Sequence, residues 1–267
     1  MIAQLGHAAR KYGGMAAIVP KMFLAYSIWV WMSLFVEIIA VVIFVAFWRA
    51  VYASTTTVGG LTLDQTLNYI LLARIFYIGA GVSNVIYDIG VGMREGQIAV
   101  VLLRPLDYQI PQLATALQVR SIFAAVALFI WLVYGLTLPS DPVVWPAFLF
   151  TLILGHAVLF CFDWIIGCAA FYSTEIWGMS VVRYSVALFF SGALIPLTMM
   201  PDWLRNIALI LPFSQVVYLP VSLLSGITPV SDMPRIWLIQ SVMLVALLFL
   251  SRFVFGRAVR VVTVQGG

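Results

Sequence analysis

The chain has 267 residues, of which 64% are hydrophobic and only 9% are charged, and its formal net charge is +4. Soluble domains average about half apolar and a quarter charged residues, so this composition excludes a water-soluble globular protein and predicts a polytopic, all-α membrane protein. The small positive charge does not indicate nucleic-acid binding, because excess Lys and Arg in membrane proteins mostly mark cytoplasmic loops.

The first residues form a basic, partly apolar segment ahead of the first long apolar run. Residues 1–22 alternate apolar and basic side chains, which predicts an interfacial helix at about 2–20 on the inner membrane surface. Apolar runs of about 20 residues then predict membrane-spanning helices. Six such spans are expected, at about 24–47, 66–87, 114–138, 145–172, 181–200 and 236–256.

The basic residues predict the direction of these spans. With the N-terminus in the cytoplasm, ten Lys and Arg residues fall at inner ends and loops, and three fall outside. The inner set is Arg10, Lys11, Lys21, Arg94, Arg104, Arg120, Arg183, Arg252, Arg257 and Arg260, and the outer set is Arg49, Arg205 and Arg235. Because cytoplasmic loops are enriched in Lys and Arg, both termini are predicted to be cytoplasmic.

A cytoplasmic stretch between the second and third spans, VGMREGQIAVVLLRPLDYQIP at 91–111, is too polar at its ends for membrane core. It predicts a short helix that starts near Glu95, where an acidic residue is favourable, and that ends before Pro105, which disfavours helical geometry in the preceding residue. The apolar stripe of this helix is Ile98, Val101, Leu102 and Leu106, and its polar residues are Arg94, Gln97 and Arg104. Such a helix either lies among lipid headgroups or fills a groove on a soluble partner.

Residues 201–230, between the fifth and sixth spans, are apolar but repeatedly interrupted. The interruptions are Pro201, Pro212, Pro220, Gly226 and Pro229. Each half is too short to cross the bilayer as a full helix. Short helices that enter partway from outside are therefore predicted, with irregular backbone buried against protein.

Three ionisable residues lie inside predicted spans: Glu37, Arg74 and Asp163. Such groups are costly in hydrocarbon and usually pair or face an aqueous path. One interpretation is a proton or cation relay in a stand-alone, ion-coupled carrier or channel. The other is structural, with a Glu37–Arg74 pair and with Asp163 near an inner vestibule or bonded to a neighbouring helix.

Motifs for catalysis are missing from the sequence. It contains neither a Walker A segment, G-x-x-x-x-G-K-[ST], nor a G-x-S-x-G motif. Its two histidines, His7 and His156, are too far apart in the predicted topology for a zinc or haem site, where ligands cluster. The chain is therefore predicted to have no catalytic residue, metal site or cofactor of its own.

Four segments resemble the ABC-2-type permease subunits of bacterial ABC exporters. They are G-Q-I-x-x-x-L-L-R-P-L-D after the second span, FWRAVY at 47–52, IPLTMMPDWLRNIALILPFSQVVYLPVSLLSG at 195–226 and GRAVRVVTVQGG at 256–267. Together they extend over nearly the whole chain, although none is a catalytic signature. The resemblance implies a multi-pass permease of the bacterial inner membrane that pairs with a second permease, identical or homologous, above two separate ATPase subunits that bind ATP and Mg²⁺.

The resemblance also implies roles for two segments. The stretch 95–106 corresponds to a coupling helix that docks into the ATPase, which the N-terminal interfacial helix also contacts. Its expected docking residues are Arg94, Glu95, Gln97, Ile98, Leu102, Leu103, Arg104, Pro105 and Leu106. The stretch 201–230 corresponds to re-entrant helices that close the pathway on the external side, with candidate gate residues Pro201, Trp203, Leu211, Pro212, Phe213 and Pro220.

Overall fold

The computed structural model describes residues 27–77, 85–95, 108–110, 112–113, 137, 139–173 and 176–261. Over these ranges the chain is mostly helical and has no β-structure beyond an isolated bridge between Val58 and Leu61. The predicted all-α class is therefore confirmed for this part of the chain. The predicted interfacial helix at 2–20 and, except for residue 137, the predicted third span at 114–138 lie outside the described residues.

The helices are numbered here in chain order. They are α1 (Ser27–Val51), α2 (Leu63–Phe76), α3 (Val85–Arg94), α4 (Val144–Gly167), α5 (Ile176–Phe190), α6 (Asp202–Ile210), α7 (Pro212–Val216), α8 (Tyr218–Leu224) and α9 (Met233–Ala258). A 3₁₀ turn, Cys168–Phe171, extends α4, and another, Val230–Asp232, leads into α9.

Two helical stretches in the described ranges are long and apolar enough to cross a membrane, Val144–Phe171 and Val230–Ala258. They coincide with the predicted fourth and sixth spans, at 145–172 and 236–256. Helix α1 occupies the predicted first span from Ser27 onward and continues to Val51. Two of the six predicted spans therefore coincide with helices of membrane-crossing length, and the number six stays a prediction.

The predicted second span, 66–87, corresponds to two helices with residues 78–84 between them outside the described part of the chain. Helix α2 starts at a capping box, in which the Thr62 hydroxyl accepts from the Gln65 N–H and the Gln65 side-chain oxygen accepts from the Thr62 N–H at 3.0 Å. These bonds satisfy amide groups that have no partner inside the helix. Helix α3 extends past the predicted end of the span, to Arg94.

The predicted fifth span, 181–200, differs from the structure. Helix α5 begins at Ile176 and ends at Phe190, and turns and a 3₁₀ segment follow it. Its 15 residues rise about 22 Å, less than the roughly 30 Å of a hydrocarbon core. Gly192 ends the helical region with φ of 83°, and its carbonyl accepts a hydrogen bond from the Tyr69 hydroxyl at 3.0 Å. Apolar composition did not distinguish this turn from helix.

Helix α4 is central, because it packs against α3, α7, α8 and α9. Buried apolar residues of the described ranges form two clusters along it. The outer cluster, with Tyr69 and Phe148 among its members, surrounds the N-terminal part of α4. The inner cluster, with Ile89, Trp164 and Phe171 among its members, surrounds the C-terminal part. The two names follow the predicted orientation, in which the C-terminal end of α4 faces the cytoplasm.

Candidate functional site

A buried ion pair joins α4 to α5. Arg183 Nε donates to Asp163 Oδ1 at 2.8 Å, and Arg183 Nη2 donates to Asp163 Oδ2 at 2.7 Å. The Asp163 side chain is fully buried, and the Arg183 side chain is 5% exposed. Such fork-to-fork pairs are among the strongest protein hydrogen bonds. Of the two alternatives predicted for Asp163, bonding to a neighbouring helix is the one that the structure contains.

The position of Arg183 corrects the sequence interpretation. The charge pattern predicts it at a cytoplasmic end, but it lies inside α5 and is buried. Its Cζ also lies 5.7 Å from the centre of the Phe213 ring on α7, close enough for a cation–π contact. Without Arg183, nine inner basic residues still outnumber three outer ones, so the excess of inner Lys and Arg still predicts the same orientation.

The other two intramembrane charges lie nearer the N-terminus. Arg74, at the end of α2, has its Cζ 5.3 Å from the centre of the Phe44 ring on α1. The Glu37 side chain lies outside the described residues, so the Glu37–Arg74 pair stays a prediction. Among the residues that the structure describes, no three His, Cys, Asp or Glu side chains come together as a metal site requires.

Prolines break the apolar stretch after α5 into the short helices that the sequence predicts. Helix α6 and the α7–α8 pair meet at an angle of 73°. The junction residue, Leu211, is extended, with φ of −75° and ψ of 148°, as favoured for a residue that precedes proline. Pro212 then occupies the first turn of α7, where its missing N–H costs no helical hydrogen bond. Residues 202–224 are called the broken segment below.

The broken segment lies directly on α4. A Cβ added at Gly155 would collide with the carbonyl oxygen of Gln215 in α7. Gln240 of α9 reaches the same place, where its Nε2 donates to the carbonyls of Thr151 at 3.3 Å and Gln215 at 3.4 Å. Trp237 Nε1 donates to the Thr151 hydroxyl at 2.8 Å. These bonds hold α4, α7 and α9 together in apolar surroundings, where a lost hydrogen bond is costly.

The six candidate gate residues divide into two groups. Pro212, Phe213 and Pro220 are buried, whereas Pro201 and Trp203 are exposed and Leu211 is half-buried. The Phe213 ring packs edge-on against Phe162 of α4, with 5.3 Å between ring centres. The buried group therefore packs against α4, whereas Trp203 lies on the exposed side of α6.

An apolar stripe covers that outward face of α6. It consists of Trp203, Ile207 and Ile210, which are all exposed. Spacings of four and three residues place them on one side of the helix. This set is called the α6 stripe below.

The predicted docking residues lie mostly outside the described part of the chain. These are Gln97, Ile98, Leu102, Leu103, Arg104, Pro105 and Leu106, together with the side chain of Arg94. The Glu95 N–H donates to the Val91 carbonyl at 2.9 Å, so Glu95 closes the last turn of α3. The helix predicted to start near Glu95 lies after this residue, outside the described part of the chain, so the benefit of Glu95 at a helix N-terminus stays a prediction.

The residues after this segment are anchored at the inner end of α4. The Tyr108 ring centre lies 5.4 Å from that of Trp164 and 6.0 Å from that of Phe255 on α9. Gln109 Nε2 donates to the Ser251 hydroxyl at 3.0 Å. Sequence reasoning missed Gln109, Gln215 and Gln240. A single glutamine within an apolar run is the signal that could have marked Gln215 and Gln240, whereas Gln109 stands close to Asp107 and Gln112 and gives no such signal.

The described helices, the interrupted apolar segment and the buried ion pair belong to a helical membrane protein. A family model described as ABC-2 family transporter protein matches residues 24–266. The chain therefore belongs to the ABC-2 transporter family, and the predicted resemblance to ABC-2 permeases is confirmed. Searches among curated proteins and among solved structures give no match.

Proposed function

We propose that this chain is the permease subunit of an ATP-driven exporter in the bacterial inner membrane. Two permeases, identical or homologous, form the substrate path, and two separate ATPase subunits bind and hydrolyse ATP with Mg²⁺. The observation that carries the proposal is the family match over 24–266. The absence of a Walker A motif from the sequence supports ATP hydrolysis by a partner.

The coupling helix at 95–106 docks into an ATPase subunit in this proposal. ATP binding closes the two ATPases together and displaces the docked segment. Because α3 ends directly before this segment, the displacement reaches the helices that α3 packs against. The pathway then has an open and a closed state, and nucleotide and substrate both shift the equilibrium between these two states. The broken segment closes the external side.

An ion-coupled carrier working through Glu37, Arg74 and Asp163 has less support. A relay group must exchange protons or cations with water, and Asp163 is fully buried against Arg183. If such a carrier existed, liposomes containing this chain alone would show flux without ATP, and Asp163→Asn would abolish it.

The first test is co-purification. The tagged chain is expressed with its neighbouring genes, extracted in mild detergent and identified with its companions by mass spectrometry. We expect stoichiometric recovery of a Walker-type ATPase, and the masses will show whether a second, different permease is present. A single clean species would overturn the proposal.

Substitution in the docking segment should abolish ATPase binding. We expect Arg104→Glu or Leu102→Asp to leave the protein inserted but to remove the ATPase from the purified complex, because each change places a carboxylate in the docking surface. The matched control is Arg235→Glu, which makes the same charge change at an exposed residue on the predicted outer side. Equal ATPase recovery from Arg104→Glu and Arg235→Glu would contradict the docking assignment.

The α6 stripe is the proposed outer contact with the second permease. We expect Trp203→Glu to reduce the fraction of paired permeases, because a carboxylate would have to be desolvated at that contact. The measurement is the mass of the detergent-solubilised complex. Trp177→Glu is the control, since Trp177 of α5 is 72% exposed and Trp203 is 65% exposed. Similar loss of pairing in both variants would argue against a specific role for the stripe.

A further inference from the structure

We propose that Tyr108 and Gln109 are positioning residues that fasten the downstream end of the docking segment to α4 and α9. Motion of the ATPase then enters the helix bundle through the inner cluster and reaches the broken segment along α4. The inference rests on the proposed function, and it assigns the coupling route to helices beyond the two spans that flank the docking segment.

The downstream anchor combines ring packing with a buried hydrogen bond. Tyr108 packs on Trp164 and is nearly parallel to Phe255, with 24° between the two ring planes. Gln109 is 4% exposed, and its hydrogen bond to Ser251 lies among buried groups. A buried bond of this kind fixes the distance between its two segments, because breaking it leaves polar groups unsatisfied. We therefore expect residues 108 and 109 to move together with α4 and α9.

The upstream flank of the docking segment meets the same cluster. A Cβ placed at Gly167 would lie 2.6 Å from Ile89 Cδ1, so α3 sits closely on the end of α4. A Cβ at Gly90 would collide with the Ile176 side chain at the start of α5. Both flanks of the docking segment thus contact the inner ends of α4 and its neighbours.

Helix α4 links this cluster to the outer side. Trp164 and Gly155 lie on one continuous helix, about 13 Å apart along its axis at 1.5 Å per residue. Gly155 is the place where α4 touches the backbone of the broken segment. Asp163, next to Trp164, ties α5 to the same point through Arg183. A displacement of the inner end of α4 therefore moves the surface on which the broken segment rests.

Hydrogen–deuterium exchange of residues 202–224 tests this route in the purified complex of permease and ATPase. Exchange is compared with and without MgATP and vanadate in the unmodified chain, in Gln109→Ala and in Ser251→Ala. The control is Ser185→Ala, which removes an exposed hydroxyl that donates to the Val181 carbonyl of its own helix at 3.0 Å. Thermal unfolding and ATPase recovery are measured for each protein.

We expect nucleotide to change amide exchange in the broken segment of the unmodified complex and of Ser185→Ala. In Gln109→Ala and Ser251→Ala the change should fall about threefold, as typical coupling energies allow, while ATPase recovery stays constant. Purely local packing would lower thermal stability without reducing the nucleotide response. If either anchor variant fails to assemble, the other anchor variant is the test, and Ser185→Ala remains the folded reference.

The outcomes separate the two proposals. A full nucleotide response in both anchor variants, with the ATPase bound, would overturn the coupling route and leave the proposed function standing. An unmodified chain that recovers no ATPase would overturn the proposed function and this inference with it.

Discussion

Replacing Asp163 by Asn should destabilise the protein by about 3–5 kcal/mol, since removing one member of a buried ion pair leaves the other charge buried without its neutralising partner. The change is nearly isosteric, so a loss of this size would come from charge rather than from volume. The measurement is thermal unfolding of the detergent-solubilised protein.

A second ion pair in the described residues is a matched control. Arg205 Nη2 lies 2.7 Å from Asp202 Oδ1, the same distance as between Arg183 Nη2 and Asp163 Oδ2. Its side chains are 36% and 83% exposed, so Asp202→Asn should cost only about 0–1 kcal/mol. If the two Asp→Asn changes lowered the stability equally, burial would not determine how much an ion pair contributes to the stability of this protein. Asp163→Leu combined with Arg183→Met should recover most of the stability, because apolar residues can replace a buried pair at little cost.

Replacing Gly155 by Ala should cost about 1–3 kcal/mol and should separate the broken segment from α4, because the added Cβ collides with backbone that cannot rotate away. Thermal unfolding measures the stability, and amide exchange over 202–224 shows whether the broken segment has loosened.

Gly178→Ala is the control for this substitution. Gly178 is an exposed glycine within α5, and a Cβ there would have no heavy atom within 4 Å. An alanine in open helical space should be neutral or should stabilise by about 0.4–1 kcal/mol, because it reduces the freedom of the unfolded chain. If Gly155→Ala behaves like Gly178→Ala, the close approach of α7 to α4 has no energetic importance.

The long apolar runs allowed the spans at α4 and α9 to be predicted from sequence, because hydrophobic length is a local property. Proline spacing likewise predicted the breaks after 200, since Pro212 restricts Leu211 through local sterics. The end of α5 was not predictable in this way. Residues 191–200 are as apolar as a helix, and the turn depends on the positive φ of Gly192 and on its contact with Tyr69.

The pairing of the buried charges also depends on tertiary structure. The sequence predicts Asp163 to be an intramembrane charge, but it predicts Arg183 to lie at an inner end because this residue stands close to the loop before its span. Only the packing of α4 on α5 brings the two side chains together. The same holds for Gln109 and Ser251, which are 142 residues apart in the chain. Hydrophobic pattern locates segments, whereas contacts across such distances need the fold.

The Asp163–Arg183 bond also has a consequence for how the chain enters the membrane during synthesis. Asp163 precedes Arg183 by 20 residues, so α4 is already available when α5 emerges. An arginine at the centre of an inserting helix costs about 2.5–3.5 kcal/mol, and the 15 residues of α5 are fewer than the roughly 20 of a full span. We therefore expect α4 and α5 to insert together as a hairpin, because Asp163 of α4 neutralises the charge of Arg183 in α5.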